Sequence, residues 1–188
     1  TASTPAYQAY EEGLRRYYEA DRSRAERLFR QALELDSGFA QAAFYYALST
    51  SSGSRSETLD RLRRAVALSG HAGDRERLVI QAEWAAQNSS PALAAIADTL
   101  MIRYPEEVAG YYYAAIGANL LGNYLAAVAP LRRVLALDSL SVAGQAGPRC
   151  RACAAYMALI YTYSAVDSEP RVSALVREWV HRQPSSAQ

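Results

Sequence analysis

Cys150-Arg-Ala-Cys153 is the one motif in this chain whose residue types and spacing could do chemistry. Two thiols three residues apart at the start of a helix share one side of it, and the amino end of the helix favours a thiolate. A closed zinc site takes about four ligands. The only other candidates, His71 and His181, are far away in sequence. Covalent haem attachment needs His directly after the second cysteine, and Ala154 stands there. Thioredoxin-like chemistry needs a strand–helix setting that this sequence does not supply. Three readings stay open for Cys150 and Cys153: two buried reduced thiols, a structural disulfide pinning the loop before them, or a redox switch. No metal and no cofactor is expected.

The remaining reactive groups are sparse. Glu11-Glu12 and Glu106-Glu107 are sequence neighbours, so on a helix each pair splays by roughly 100° and forms no acid–base dyad by itself. No HExxH, GxSxG, phosphate-binding glycine loop or Ser/His/Asp grouping is present. Every basic residue is Arg, which excludes lysine Schiff-base chemistry. Enzymatic activity is therefore not expected. Net charge is +1. The clusters Arg61/Arg63/Arg64 and Arg132-Arg133 lack the interleaved exposed aromatics of an RNA platform, so no nucleic-acid partner is expected either.

Elements that could position a binding surface are announced by a repeat. Tyr10, Phe44, Leu78 and Tyr112 follow one another at a step of 34 residues, as do Leu14, Leu48, Ala82 and Ile116. A second register runs through Phe29, Leu62, Ala97 and Leu131, with Val176 coming 45 residues later. Four residues before each stands Ala25, Thr58, Leu93, Ala127 and Val172. Eight after each stands a helix-ending type: Ser37, Gly70, Pro105, Ser139 and Pro184. A fixed period of 34 is the length of a helix–turn–helix repeat. Gly13 and Ala115 occupy a small site where two helices approach closely, whereas Gln81 and Ile160 fit it poorly.

With these registers the chain resembles the tetratricopeptide repeat family over roughly residues 5 to 184, the first and fourth units best. The resemblance implies an all-α, TPR-like solenoid of about five antiparallel helix pairs wound as a right-handed superhelix. It implies one domain over 1–188, with repeats near 6–37, 40–70, 74–105, 108–139 and 153–184 and an inserted loop near 140–149. It also implies a concave groove lined by first-helix residues: Tyr10, Tyr17, Gln41, Phe44, Arg75, Tyr112, Asn119, Met157 and Tyr161. Chaperone-binding members of the family clamp a peptide carboxylate with Lys, Asn and Arg; here those sites are mostly Tyr, Phe and Leu, which favours an apolar or aromatic ligand.

Fourteen Tyr against three Phe is a ratio suited to interfaces, since tyrosine joins a large apolar face to a polar tip. Tyr111-Tyr112-Tyr113 spans about 200° of helix circumference, so the three cannot all enter the same core layer. Pro130, inside the eighth helix, should kink it. At 188 residues the chain can bury about 70% of its unfolded surface. No apolar run reaches the roughly 18 residues of a membrane span, and no direct membrane insertion of this segment is expected. The chain opens on Thr1 rather than Met and is expected to be a piece of something longer; its compartment is open. The sequence texture also resembles repeat regions of multidomain bacterial signalling proteins, downstream of a Ser/Thr protein kinase or a DNA-binding domain. The function expected is a protein-interaction scaffold with a protein or peptide partner. Alternatives are a superhelix closing on a small hydrophobic ligand, and self-assembly through the last helix, which carries Val176, Trp179 and Val180. The oligomeric state is not legible.

Overall fold

The computed structural model describes residues 1–50, 53–138, 150–166 and 168–182. Ten α-helices and no strand occur among the described residues: α1 Thr4–Tyr18, α2 Arg22–Leu35, α3 Ala40–Leu48, α4 Arg55–Leu68, α5 Asp74–Gln87, α6 Ala92–Arg103, α7 Val108–Leu120, α8 Tyr124–Leu137, α9 Arg151–Ala165 and α10 Glu169–Arg182. A short 3-10 turn, Ser69–His71, separates α4 from α5. The expected inserted loop near 140–149 lies outside the described residues.

Local chemistry explains where the helices begin. Ser3, Asp21 and Ser54 each accept a backbone N–H from the first turn of α1, α2 and α4, satisfying a donor that the helix itself leaves unpaired. Pro91 is the residue just before α6 and Pro170 the second residue of α10, where a missing N–H costs nothing. Pro130 sits within α8, which runs on through it as one helix.

The chain divides into two compact units, Thr1–Asn88 and Ser89–Gln188. In the first, α1 packs on α2, α2 on α3, α3 on α4 and α4 on α5. Its core joins Ala32, Leu33, Phe39, Ala43, Leu62 and Ile80, all buried. The small site at Gly13 is where α1 meets α2: a Cβ there would lie 2.8 Å from the Phe29 ring. Arg61 of α4 reaches back to Glu26 of α2 at 2.8 Å, pairs with Glu57, and lies 4.0 Å over the Tyr46 ring.

In the second unit α6 packs on α7, α7 on α8, α8 on α9 and α9 on α10. Leu131, Val134, Ala155, Tyr156, Leu159 and Leu175 form its buried centre. Trp179 stacks flat on Tyr156, ring centroids 5.3 Å apart, and closes the α9–α10 pair. The Tyr156 hydroxyl donates to Glu178 at 2.9 Å, and Glu178 in turn holds Arg132 at 2.8 Å. Val176 and Val180 stand at the register positions of Leu131 and Leu135, which are buried under α9. On α10 these positions are exposed.

Candidate functional site

The sequence candidates separate into two groups with different surroundings. In the first unit they are drawn into an aromatic cluster between α1, α2 and α3. The Tyr10 ring lies 5.9 Å from Phe29, 4.8 Å from Phe39 and 6.0 Å from Tyr45. Tyr17 packs edge-on against Tyr45 at 5.4 Å, and the Tyr18 and Tyr45 hydroxyls share a hydrogen bond of 3.2 Å. Burial pushes the Tyr10 and Tyr45 hydroxyls well above the ordinary tyrosine range, so both stay neutral. Tyr17 and Phe44 are buried, which corrects their expected place on an open groove: their rings fill space between helices and are not available to a ligand. Gln41 is half-buried in the first turn of α3. Arg75 is exposed at the start of α5, where its guanidinium meets Glu76 at 2.8 Å.

In the second unit the candidates stand on two helices in contact, α7 and α9. Arg151, at the head of α9, lies 4.9 Å over the Tyr112 ring of α7. Eleven residues on, Thr162 of α9 shares a hydrogen bond of 3.4 Å with Asn119 of α7. The two contacts come in the same order along both helices, so α7 and α9 run parallel, side by side, with Tyr112 and Asn119 in the seam. Ile116 and Leu120 follow Tyr112 at intervals of four on α7, and Tyr161 follows Met157 on α9. Each set therefore stands on successive turns of one side of its helix. Leu120 is 48%, Met157 62% and Tyr161 58% exposed. Tyr161 is steadied by Tyr124, ring centroids 6.1 Å apart. α7 carries no charged residue and α9 only Arg151. The result is an apolar, tyrosine-bearing wall.

The three consecutive tyrosines do part company as the helical angle requires. Tyr113 is buried, Tyr112 enters the seam, and the Tyr111 hydroxyl turns back to donate to the Pro105 carbonyl at 3.0 Å. Leu120, Leu121 and Tyr124 at the α7–α8 turn were not among the sequence candidates. The signal that could have found them is the run Leu120-Leu-Gly-Asn-Tyr124, where a turn carries exposed apolar side chains.

Cys150 and Cys153 are joined by a disulfide, with Cα atoms 5.0 Å apart. Both lie at the first turn of α9: Cys150 caps it, its Sγ accepting the Cys153 N–H at 3.0 Å. The bond staples that turn to itself. Among the described residues there is no group of three or more metal-ligating side chains, and no helix that is long and apolar enough to cross a membrane.

No family model matches the chain, and no curated protein does. Solved structures are similar to it along its whole length. One described as MamA protein is 11% identical, covers 97% of this chain and 94% of its own, and superposes with a TM-score of 0.53. MamA of MSR-1 is 12% identical, covers 98% and 100%, and gives 0.54. MamA from residue 41 to its end, from Desulfovibrio magneticus RS-1, is 8% identical, covers 100% of both chains and gives 0.55. At such identities the likeness carries the fold: the chain is an all-α, TPR-like solenoid.

Proposed function

We propose that this chain is a non-enzymatic protein-interaction module, and that the α7–α9 wall of its second unit takes up an apolar peptide segment of a partner protein. The observation that carries this is the exposure of Leu120, Met157 and Tyr161 on adjoining turns of two parallel helices that together hold a single charge. Apolar area left in water is stabilised by any partner that covers it. Tyrosine and methionine suit that task, the first rigid and amphipathic, the second adaptable in shape. The near-absence of charge selects an apolar occupant over an acidic tail or a nucleic acid. The resemblance of the repeats to those of multidomain bacterial signalling proteins supports a place as the docking or sensing arm of such a protein.

A random peptide display library selected on the immobilised chain tests the reading. Enriched peptides are expected to carry two or three apolar residues at helical or extended spacing. Binding of a labelled enriched peptide should weaken on the order of tenfold or more in Met157→Glu and in Tyr161→Glu. Val180→Glu, on α10, should leave it unchanged. Peptides that bind all three variants as they bind the parent would remove the α7–α9 wall from consideration.

A further inference from the structure

We propose that Cys150–Cys153 is a thiol–disulfide exchange site whose co-substrate is a thiol, and that Cys153 is the sulfur attacked. This goes beyond the peptide-docking reading and stands whether or not the wall binds a peptide. The bridge is a weaker brace than one closing a long loop. Its cysteines are separated by 3 positions, and the stabilisation from closing a loop is smallest for the shortest loops. Nor does the first turn of α9 depend on it. The Ala152 N–H is held by the Asp138 carboxylate at 2.9 Å, the Ala154 N–H by the Cys150 carbonyl at 3.0 Å, and Arg151 rests on Tyr112. Opening the bond would leave these contacts in place.

The two sulfurs are unlike. Cys150 is 5% exposed, while Cys153 is half-buried and stands one and two turns before the exposed Met157 and Tyr161 on the same side of α9. An incoming thiolate reaches Cys153 Sγ. As the new S–S bond forms, the old one breaks and its electron pair leaves on Cys150 Sγ. That atom already accepts the Cys153 N–H at 3.0 Å at the amino end of a helix, where negative charge is stabilised. A stabilised leaving thiolate speeds exchange. A second thiolate then attacks the external sulfur of the mixed disulfide and expels Cys153 as thiolate. The chain gains two electrons and two protons, and two external thiols become one disulfide.

Glutathione serves as the probe. The full chain, starting once reduced and once oxidised, is equilibrated in buffers of graded glutathione ratio, quenched with acid and alkylated. The two starting forms should converge on one midpoint within the buffered range, with far-ultraviolet circular dichroism unchanged across it. Mixed disulfide trapped early should map to Cys153. In single variants, the Cys153 thiol of Cys150→Ser should react with an aromatic disulfide on the order of tenfold faster than the Cys150 thiol of Cys153→Ser. A chain that stays wholly oxidised or wholly reduced across the range would overturn the proposal. So would exchange only when the helices melt, or an adduct on Cys150. The adduct map on the parent chain decides the question even if a serine variant folds poorly.

Discussion

Gly13→Ala and Gly117→Ala make the same chemical change inside two helices, and the structure sends them in opposite directions. Replacing glycine by alanine within a helix stabilises by about 0.8–1 kcal/mol, because less backbone freedom is lost on folding. At Gly13 that gain meets an obstruction. The new Cβ would lie 2.8 Å from Phe29 Cε1 and 2.9 Å from Cδ1, against about 3.5–4.0 Å for carbon atoms in comfortable contact. Phe29 has no solvent to retreat into, and its ring is held by Tyr10 at 5.9 Å and by Tyr45 stacked at 5.6 Å. Overpacking of this kind costs about 1–3 kcal/mol, so the net expectation is a loss of about 1 kcal/mol. At Gly117 the nearest atoms are those of Leu93 at 3.7 Å, an ordinary contact. There the alanine should add about 0.5–1 kcal/mol. Thermal unfolding followed by far-ultraviolet circular dichroism reads the difference, at about 2–4 °C per kcal/mol for a chain of this size. Hydrogen exchange in α1 and α7 assigns each change to its own unit, since helical arrays need not melt in one step. A Gly13→Ala protein as stable as Gly117→Ala would mean that the Phe29 ring is free to move and that the close approach of α1 to α2 is not a constraint.

Burial and the Glu178 acceptor push Tyr156 from 10.0 up to about 12, so the unfolded chain ionises first. Stability should be full below pH 10 and decline as pH rises from 10 towards 12, and Tyr156→Phe should remove part of that decline, read by urea midpoints beside a tyrosinate absorbance titration. Arg61→Ala removes the partner of Glu26 and Glu57 and the cation over Tyr46, with Glu26 only 19% exposed. A cost of about 1–2 kcal/mol is expected in chemical denaturation, and an unchanged midpoint would show that the α2–α4 link is ornamental.

Much of the fold is legible in the chain itself. The step of 34 residues places helix pairs in succession, and the breakers Ser37, Gly70 and Pro105 each stand two residues beyond a helix end, at Leu35, Leu68 and Arg103. The close approach at Gly13 could also be anticipated, because Gly13 and Phe29 hold the small and large places of adjoining registers. The division of the tyrosine triplet follows from helical angle alone. Each of these is a property of a helix and its nearest neighbour in sequence, and local spacing encodes it.

Exposure was decided elsewhere. Phe44 and Met157 hold corresponding places in the 34-residue register and its continuation, yet Phe44 is buried and Met157 is 62% exposed. Tyr10 and Tyr161 both read as groove tyrosines, but Tyr10 is enclosed by Phe29, Phe39 and Tyr45 while Tyr161 touches only the edge of one ring, Tyr124, among the ring contacts described. The union of Cys150 with Cys153 was likewise one of three open readings until the sulfurs were placed. A sequence period gives the direction in which a side chain leaves its own helix. What stands opposite is supplied by another helix, tens of residues away.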